Sequence, residues 1–160
     1  MNREKTKVVV IRSAFNSDIV NNLYKGVKEC FNKKNFFHEM NVIEVPGAFE
    51  IPYMAKRVLD NSASKKNESD KVDCIITLGC VIKGETAHFE YISNSCASTL
   101  SQLTLQSEIP IMFGVITAYT KEQALNRSQA NFDNNPNKNI GYNVANAAIE
   151  ILSSKEKHRL

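Results

Sequence analysis

Neither the spacing of a zinc site nor a dense cysteine framework is present in this sequence. Its four cysteines, Cys30, Cys74, Cys80 and Cys96, contain no C-x-x-C pair and do not cluster with the three histidines. A structural zinc site or a disulfide scaffold would require such patterns. We therefore expect no metal site, and we expect the cysteines to be buried thiols of a protein in a reducing compartment.

Long apolar runs and charge runs of one sign are missing as well. No apolar run approaches the roughly 18 residues that cross a bilayer, and residues 1–7 lead directly into a short apolar strand, unlike a signal peptide. The net charge is only +3, and the two polar charge runs, 64–71 and 153–159, carry both signs. These features predict a cytoplasmic protein with neither nucleic acid nor a membrane as partner.

One domain spanning residues 1–160 is expected, with a core from about residue 7 to residue 152. A chain of this length buries about 70% of the surface that it exposes when unfolded, so it can fold without disulfides or metals. The sequence contains no internal repeat and no linker that would divide it.

Apolar runs with the character of buried strands alternate with amphipathic helices. The runs cover residues 8–11, 42–45, 72–78 and 111–116. Asn16 or Ser17 is expected to cap the first helix, and Pro52 to lie in the first turn of the second. The last helix is expected to follow Gly141, with an apolar face formed by Val144, Ala147, Ala148 and Ile151. The alternation predicts an α/β fold, a flavodoxin-like three-layer αβα sandwich around a four-stranded parallel sheet.

The segment 77–91 carries the most informative local pattern in the chain. The third apolar run ends at Gly79, and after Gly84 a helix is predicted with Thr86 and His88 in its first turn. The unpaired N–H groups and the positive dipole end of a helix start favour an anion such as phosphate. A histidine there can transfer protons at neutral pH. Taken alone, however, a histidine in a first helical turn is more often a cap or a surface residue.

Several segments are expected to converge at the carboxyl ends of the predicted strands, where parallel sheets bind ligands. They are Phe15, the turn 47–50, the turn 79–88, and the strand end at Phe113 and Gly114. Taken alone, Phe15 could equally be a core residue, and Phe113, inside the fourth apolar run, would be assigned to the core. Glu50 could interact with a helix start, and Arg127 could complement a helix C-terminus. Their combination predicts a small-molecule site.

An ordered set of motifs resembles lumazine synthase, the enzyme of the penultimate step in riboflavin biosynthesis. The motifs are Ala-Phe-Asn at 14–16, Val-Pro-Gly-Ala-Phe-Glu-Ile-Pro at 45–52, the segment 77–91, Phe-Gly-Val at 113–115, and Glu-Gln-Ala-x-x-Arg at 122–127. The resemblance implies condensation of 5-amino-6-(D-ribitylamino)uracil with 3,4-dihydroxy-2-butanone 4-phosphate to 6,7-dimethyl-8-ribityllumazine, without a metal or an organic cofactor. It also implies a homo-oligomer built from pentamers, with active sites at subunit interfaces. Whether the pentamers stack or close into a shell stays open.

The resemblance further implies a role for each matching residue. His88 is the proton donor. The pyrimidine substrate is held by Phe15, Ala48, Phe49, Glu50, Cys80, Val81, Ile82 and Phe113. The phosphate of the second substrate is bound by Glu85, Thr86 and Arg127.

Three places in the chain differ from the commoner family pattern. Cys80 stands where threonine is usual, and a site that uses its backbone groups would tolerate the change. Glu85 replaces a small residue, so its carboxylate is expected to point away while its N–H serves the phosphate. Residues 131–139 are rich in asparagine where the family often has glycine and lysine, and whether Lys138 joins the site stays open.

Two other functions stay open at this point. A flavin-binding module of the flavodoxin kind shares the fold class, but its phosphate loop is normally rich in Ser, Thr and Gly, whereas this chain has Arg-Ser-Ala-Phe-Asn-Ser at 12–17. A non-catalytic relative could bind lumazine or build a shell. The presence of His88, Thr86 and Arg127 disfavours that alternative.

Overall fold

A parallel sheet of four strands forms the centre of the molecule in the computed structural model, which describes residues 5–36 and 38–158. The strands are β1 (Thr6–Ser13), β2 (His38–Val45), β3 (Cys74–Ile82) and β4 (Ile111–Ala118). Their order across the sheet is β2-β1-β3-β4, and each neighbouring pair is parallel. Two stretches discussed from the sequence extend outside the described residues. They are residues 1–4 of the segment that leads into the first strand, and Arg159 of the charge run 153–159.

Within the described part of the chain, five α-helices cover the two faces of this sheet. They are α1 (Ser17–Lys33), α2 (Ile51–Ala63), α3 (His88–Leu105), α4 (Lys121–Asn126) and α5 (Ile140–His158). Helices α1, α4 and α5 pack on one face and α2 and α3 on the other, each group over its own apolar core. None of these helices has the length and apolar character needed to span a bilayer. The arrangement confirms the predicted α/β class and the flavodoxin-like αβα sandwich.

Strand β1 shows why the strands could be predicted from continuous apolar runs in the sequence. Val8 and Val10 belong to the core under α1 and α5, whereas Val9 and Ile11 belong to the core under α2 and α3. Because side chains alternate along a strand, a strand covered on both faces is apolar at every position. The continuous run 8–11 therefore predicted the strand correctly, and pairing extends it to Thr6–Ser13.

Strands β1 and β3 part near their carboxyl ends. Their pairing ends where Arg12 lies opposite Leu78. Beyond Leu78, β3 continues to Ile82 and pairs there with β4. The chain leaves β1 toward α1 on one face of the sheet and leaves β3 toward α3 on the other. Such a divergence opens a crevice at the carboxyl edge of a parallel sheet.

The prediction that the third strand ends at Gly79 is wrong. Gly79 lies inside β3, because the strand keeps its ladder with β4 as far as Ile82. A Cβ at position 79 would lie 3.1 Å from Cδ1 of Ile51, so glycine permits a close approach of the start of α2. Helix α3 itself begins at His88, and Thr86 precedes the helix instead of lying in its first turn.

The last helix begins earlier than predicted. Helix α5 starts at Ile140, which places Gly141 inside its first turn. There its backbone meets α1, because a Cβ at position 141 would lie 2.6 Å from the carbonyl carbon of Leu23. The buried side of α5 consists of small residues at positions 141, 145 and 148. Ala147 and Ile151, which the pattern assigned to the buried face, are therefore exposed.

We expect Gly141→Ala to destabilise the protein strongly. Its methyl group would overlap the backbone of Leu23, which cannot rotate away as a side chain can. Overpacking typically costs about 1–3 kcal/mol, so urea unfolding should show a loss near the upper end of that range. Gly84→Ala is the matched control, since a Cβ there meets nothing within 4 Å, and its free energy of unfolding should change by less than about 0.5 kcal/mol. Equal stability of the two variants would contradict this contact.

Candidate active site

A cleft opens in the crevice between the carboxyl ends of β1 and β3. Its volume is about 630 Å³, within the range of small-molecule sites. It is lined by the loop after β1, the turn before α2, the end of β3 and the start of α3. The lining residues are Phe15, Gly47, Ala48, Phe49, Glu50, Cys80, Val81, Ile82, Gly84, Thr86, His88, Phe89 and Ile92. Three of the four segments expected to converge therefore do so.

Two aromatic side chains stand open at this cleft. Phe15 is 71% exposed and Phe49 is 55% exposed. The loop that carries Phe15 is held against the end of β2, because the Phe15 N–H donates to the Pro46 carbonyl at 3.1 Å. The ring therefore stands outside the core, and the alternative that Phe15 is a core residue is wrong. An exposed ring at a crevice can stack on a planar heterocycle.

The turn before α2 is held by its own carboxylate. The N–H of Gly47 donates to Oε2 of Glu50 at 2.9 Å, and Ala48 is buried against the core under α2 and α3. Glu50 thus satisfies an N–H at the start of a helical segment, which was the simpler alternative for this residue. Because Glu50 also lines the cleft, the same bond fixes the orientation of a carboxylate toward a ligand.

The end of β3 forms the floor of the cleft. Cys80 is buried, and burial raises the pKa of its thiol to about 12, with a smaller contribution from Asp18. The side chain is therefore a neutral, unreactive thiol near pH 7. Beyond Leu78 the backbone of β3 no longer pairs with β1, so the backbone is the part of β3 that can contact a ligand next to Cys80.

His88 lies at the first position of α3 and faces the cleft as an exposed side chain. Its backbone N–H donates to Oγ1 of Thr86 at 3.4 Å, so the threonine satisfies one of the free N–H groups at the helix start. The two residues bring a proton-transfer group and the positive end of a helix dipole to the same cleft. This combination suits a reaction on a substrate that carries an anion.

A polar contact holds the loop between β3 and α3. Nζ of Lys83 lies 3.1 Å from the Glu90 carboxylate, and the Lys83 N–H donates to the Ala118 carbonyl at 2.9 Å. The pKa of Glu90 is lowered, first by a hydrogen bond from its own backbone N–H and then by Lys83. Lys83 also lies 5.6 Å from the ring of Tyr119. These contacts tie the residues around His88 to the end of β4.

Glu85, Phe113 and Arg127 do not line this cleft. Glu85 lies in the exposed loop before α3. Phe113 is the third residue of β4, and this strand runs on to Ala118, so the expectation that Phe113 stands at the carboxyl end of the strand is wrong. Its side chain is 41% exposed. Arg127 follows α4 on the side of the sheet that α1 and α5 cover, and its carbonyl accepts from the Ile140 N–H.

Two further cleft residues, Phe89 and Ile92, were not among the predicted site residues. Phe89 and Ile92 belong to the apolar face of α3, yet both are partly exposed and line the cleft. The spacing could have predicted the position of Ile92, since it stands four residues after His88 and therefore lies on the same face of the helix. Lys138, whose role was open, is exposed in a short turn on the other side of the sheet, before α5.

A larger groove of about 770 Å³ lies at the opposite, amino-terminal edge of the sheet. Two ion pairs join charged side chains within this groove, Lys56 with Asp60 and Lys71 with Glu68. None of the residues that match the motifs lines this groove. Among the described residues no group of three or more His, Cys, Asp or Glu side chains could hold a metal ion.

Comparison with known proteins agrees with this geometry. The sequence model of 6,7-dimethyl-8-ribityllumazine synthase matches residues 5–156, which include every cleft residue. The chain belongs to the 6,7-dimethyl-8-ribityllumazine synthase family. The synthase of that name from Thermococcus kodakarensis is 35% identical over 98% of this chain and 90% of its own length. Those from Leuconostoc mesenteroides and Campylobacter jejuni are 37% and 36% identical, over 94% of this chain and 89% and 91% of their own lengths.

Proposed function

We propose that this chain is the enzyme that condenses 5-amino-6-(D-ribitylamino)uracil with 3,4-dihydroxy-2-butanone 4-phosphate. The product is 6,7-dimethyl-8-ribityllumazine, and the step is the penultimate one of riboflavin biosynthesis. The observation that carries the proposal is the shared cleft: His88 at the start of α3 opens onto the same space as Phe15 and Glu50. Family membership over nearly the whole chain supports the same reaction.

The pyrimidine substrate occupies the part of the cleft between the β1 loop and the end of β3. The ring of Phe15 stacks on its heterocycle, since an exposed aromatic face gains from covering a planar ligand. The turn 48–50, with Ala48, Phe49 and Glu50, meets the ribityl chain. Cys80, Val81 and Ile82 contribute mainly backbone groups, which explains why a buried thiol is tolerated at position 80.

The phosphate substrate binds at the start of α3. The N–H of Glu85 and the hydroxyl and N–H of Thr86 lie in the loop that precedes the helix, where the dipole favours an anion. Arg127 adds a guanidinium, whose planar fork suits phosphate. His88 donates the protons that the reaction requires.

The chemistry divides into steps that each move protons. The 5-amino group attacks the ketone and loses water to give an imine, phosphate then leaves, and the ribitylamino nitrogen closes the ring with loss of a second water. Proton transfer by His88 contributes about 10²–10⁴-fold. Holding two substrates in contact supplies much of the rest, because it converts a bimolecular step into one within a complex.

Arg127 and Phe113 complete the cleft of a neighbouring copy. Arg127 lies on the side of the sheet covered by α1 and α5, whereas its own cleft opens toward α2 and α3. Phe113 projects from the outermost strand of the sheet. A head-to-tail ring places such residues beside the next subunit's cleft. We propose the homo-oligomer built from pentamers that the family resemblance implies.

Exposed apolar side chains support such an assembly. The large hydrophobic residues exposed in the described part of the chain are Phe15, Phe49, Tyr53, Tyr91, Leu105, Phe113, Tyr119, Leu125 and Ile151. Six of these nine side chains are aromatic, and aromatic residues are enriched at protein interfaces. We further propose that residues 1–160 form a single domain and that the enzyme acts in the cytoplasm on these two small molecules.

The direct test mixes the purified protein with both substrates and follows lumazine absorbance. We expect catalysed product formation without an added metal or organic cofactor. A rate no greater than that of the substrates alone would refute the proposed function.

We expect His88→Ala to lower kcat by about 10²–10⁴-fold while the KM of each substrate changes little, because the residue transfers protons and does not anchor either ligand. His158→Ala is the matched control, since His158 is an exposed histidine at the last residue of α5. Full kcat in His88→Ala, at any pH where the parent enzyme works, would rule out the assigned role.

Mixing two inactive variants tests the shared site. His88→Ala and Arg127→Ala subunits should regain activity when they assemble together, since some interfaces then combine an intact His88 with an intact Arg127. Random mixing in equal amounts leaves about a quarter of the interfaces intact in a head-to-tail ring. Absence of recovery, after mass spectrometry has shown mixed oligomers, would place both residues in one chain's own pocket.

A further inference from the structure

One hydrogen bond spans the crevice where β1 and β3 part. Nδ2 of Asn16, in the loop after β1, donates to the carbonyl of Cys80 at 2.9 Å. The regular ladder between these strands has already ended, with Arg12 opposite Leu78. The side chain of Asn16 therefore replaces a ladder bond at the point where the cleft begins.

The backbone of Asn16 is arranged for this bond. Asn16 occupies the N-cap position of α1, but its φ of 56° and ψ of 44° are left-handed, and its side chain makes no capping bond to the helix. Only its carbonyl serves the helix, by accepting from the N–H groups of Ile19 and Val20. Asparagine usually caps with its side chain. Here the amide is turned across the crevice instead.

Asn16 follows Phe15 directly, and the ring of Phe15 is exposed at the cleft. On one side the loop is fixed to β2 by the bond from the Phe15 N–H to the Pro46 carbonyl. On the other side the Asn16 amide fixes it to β3 through Cys80. The Phe15 ring and the β3 edge are the two walls between which the pyrimidine binds in the proposed function. The distance between these walls therefore depends on Asn16.

We infer that Asn16 is a positioning residue for the pyrimidine, acting through Phe15 and the Cys80 backbone. It sets the width of the slot and leaves the phosphate site at the start of α3 unaffected. The inference rests on the proposed function, because it assigns the pyrimidine to this slot.

The test is Asn16→Gly, which keeps the left-handed backbone but removes the amide. Loss of one hydrogen bond should raise the KM of the pyrimidine about 3- to 10-fold, with the KM of the phosphate substrate unchanged. Phe15→Ala should show the same pattern. Asn16→Asp, which also tolerates this backbone but cannot donate when ionised, should raise the pyrimidine KM further.

Asn35→Gly is the matched control. Asn35 also has a positive φ, 49°, but it lies exposed just beyond the other end of α1. The same substitution there should leave both KM values unchanged. Thermal unfolding of each variant separates lost folding from lost positioning, since a smaller folded fraction lowers the maximal rate and leaves both KM values as they were.

Several results would overturn the inference. They are an unchanged pyrimidine KM in both Asn16 variants, an equal rise in the two KM values, or a fall in the maximal rate alone. Titration calorimetry with the pyrimidine alone measures the same weakening without turnover. An inactive parent enzyme would refute the proposed function, whereas an active parent with unaffected Asn16 variants would refute only this inference.

Discussion

The divergence of the chain after β1 and β3 determines where the site lies. After β1 the chain turns to α1 on one face of the sheet, and after β3 it turns to α3 on the other. The two loops therefore separate at neighbouring strands, and their backbones line the crevice between them. The exposed aromatic side chains Phe15 and Phe49 and the helix start at His88 all border this one opening.

The sequence predicted the strands and helices well because both faces of the sheet are covered. Runs such as 8–11 must then be apolar throughout. It failed at two glycines, Gly79 and Gly141, which were interpreted as the boundaries of elements. Both lie inside an element, where they allow a close approach, of Ile51 in one case and of Leu23 in the other. A local pattern cannot distinguish these uses, because the deciding atom belongs to a distant segment.

The sequence predicted part of the candidate site. Motif positions 15, 48–50, 80–82, 86 and 88 meet in a single cleft, as residues after parallel strands should. Phe113 and Arg127 do not line this cleft, and nothing in the local pattern around them distinguishes them from the residues that do. The bond of Asn16 was missed for a different reason. Its identity and position suggested a helix cap, and only the left-handed backbone redirects its side chain.

Three hydrogen bonds, each on a different loop, give the cleft its shape before any substrate arrives. Glu50 holds Gly47, Thr86 holds His88, and Asn16 reaches Cys80. In the proposed reaction the gain comes chiefly from placing two substrates in contact, so loops that are already ordered avoid an entropic cost on binding. The bond at the start of α3 is made by a neutral hydroxyl, that of Thr86, which leaves the positive end of the helix dipole without a neighbouring carboxylate from this contact. Glu50 and Thr86 also line the cleft, so the groups that order its loops are in part the groups that meet the ligands in the proposed reaction.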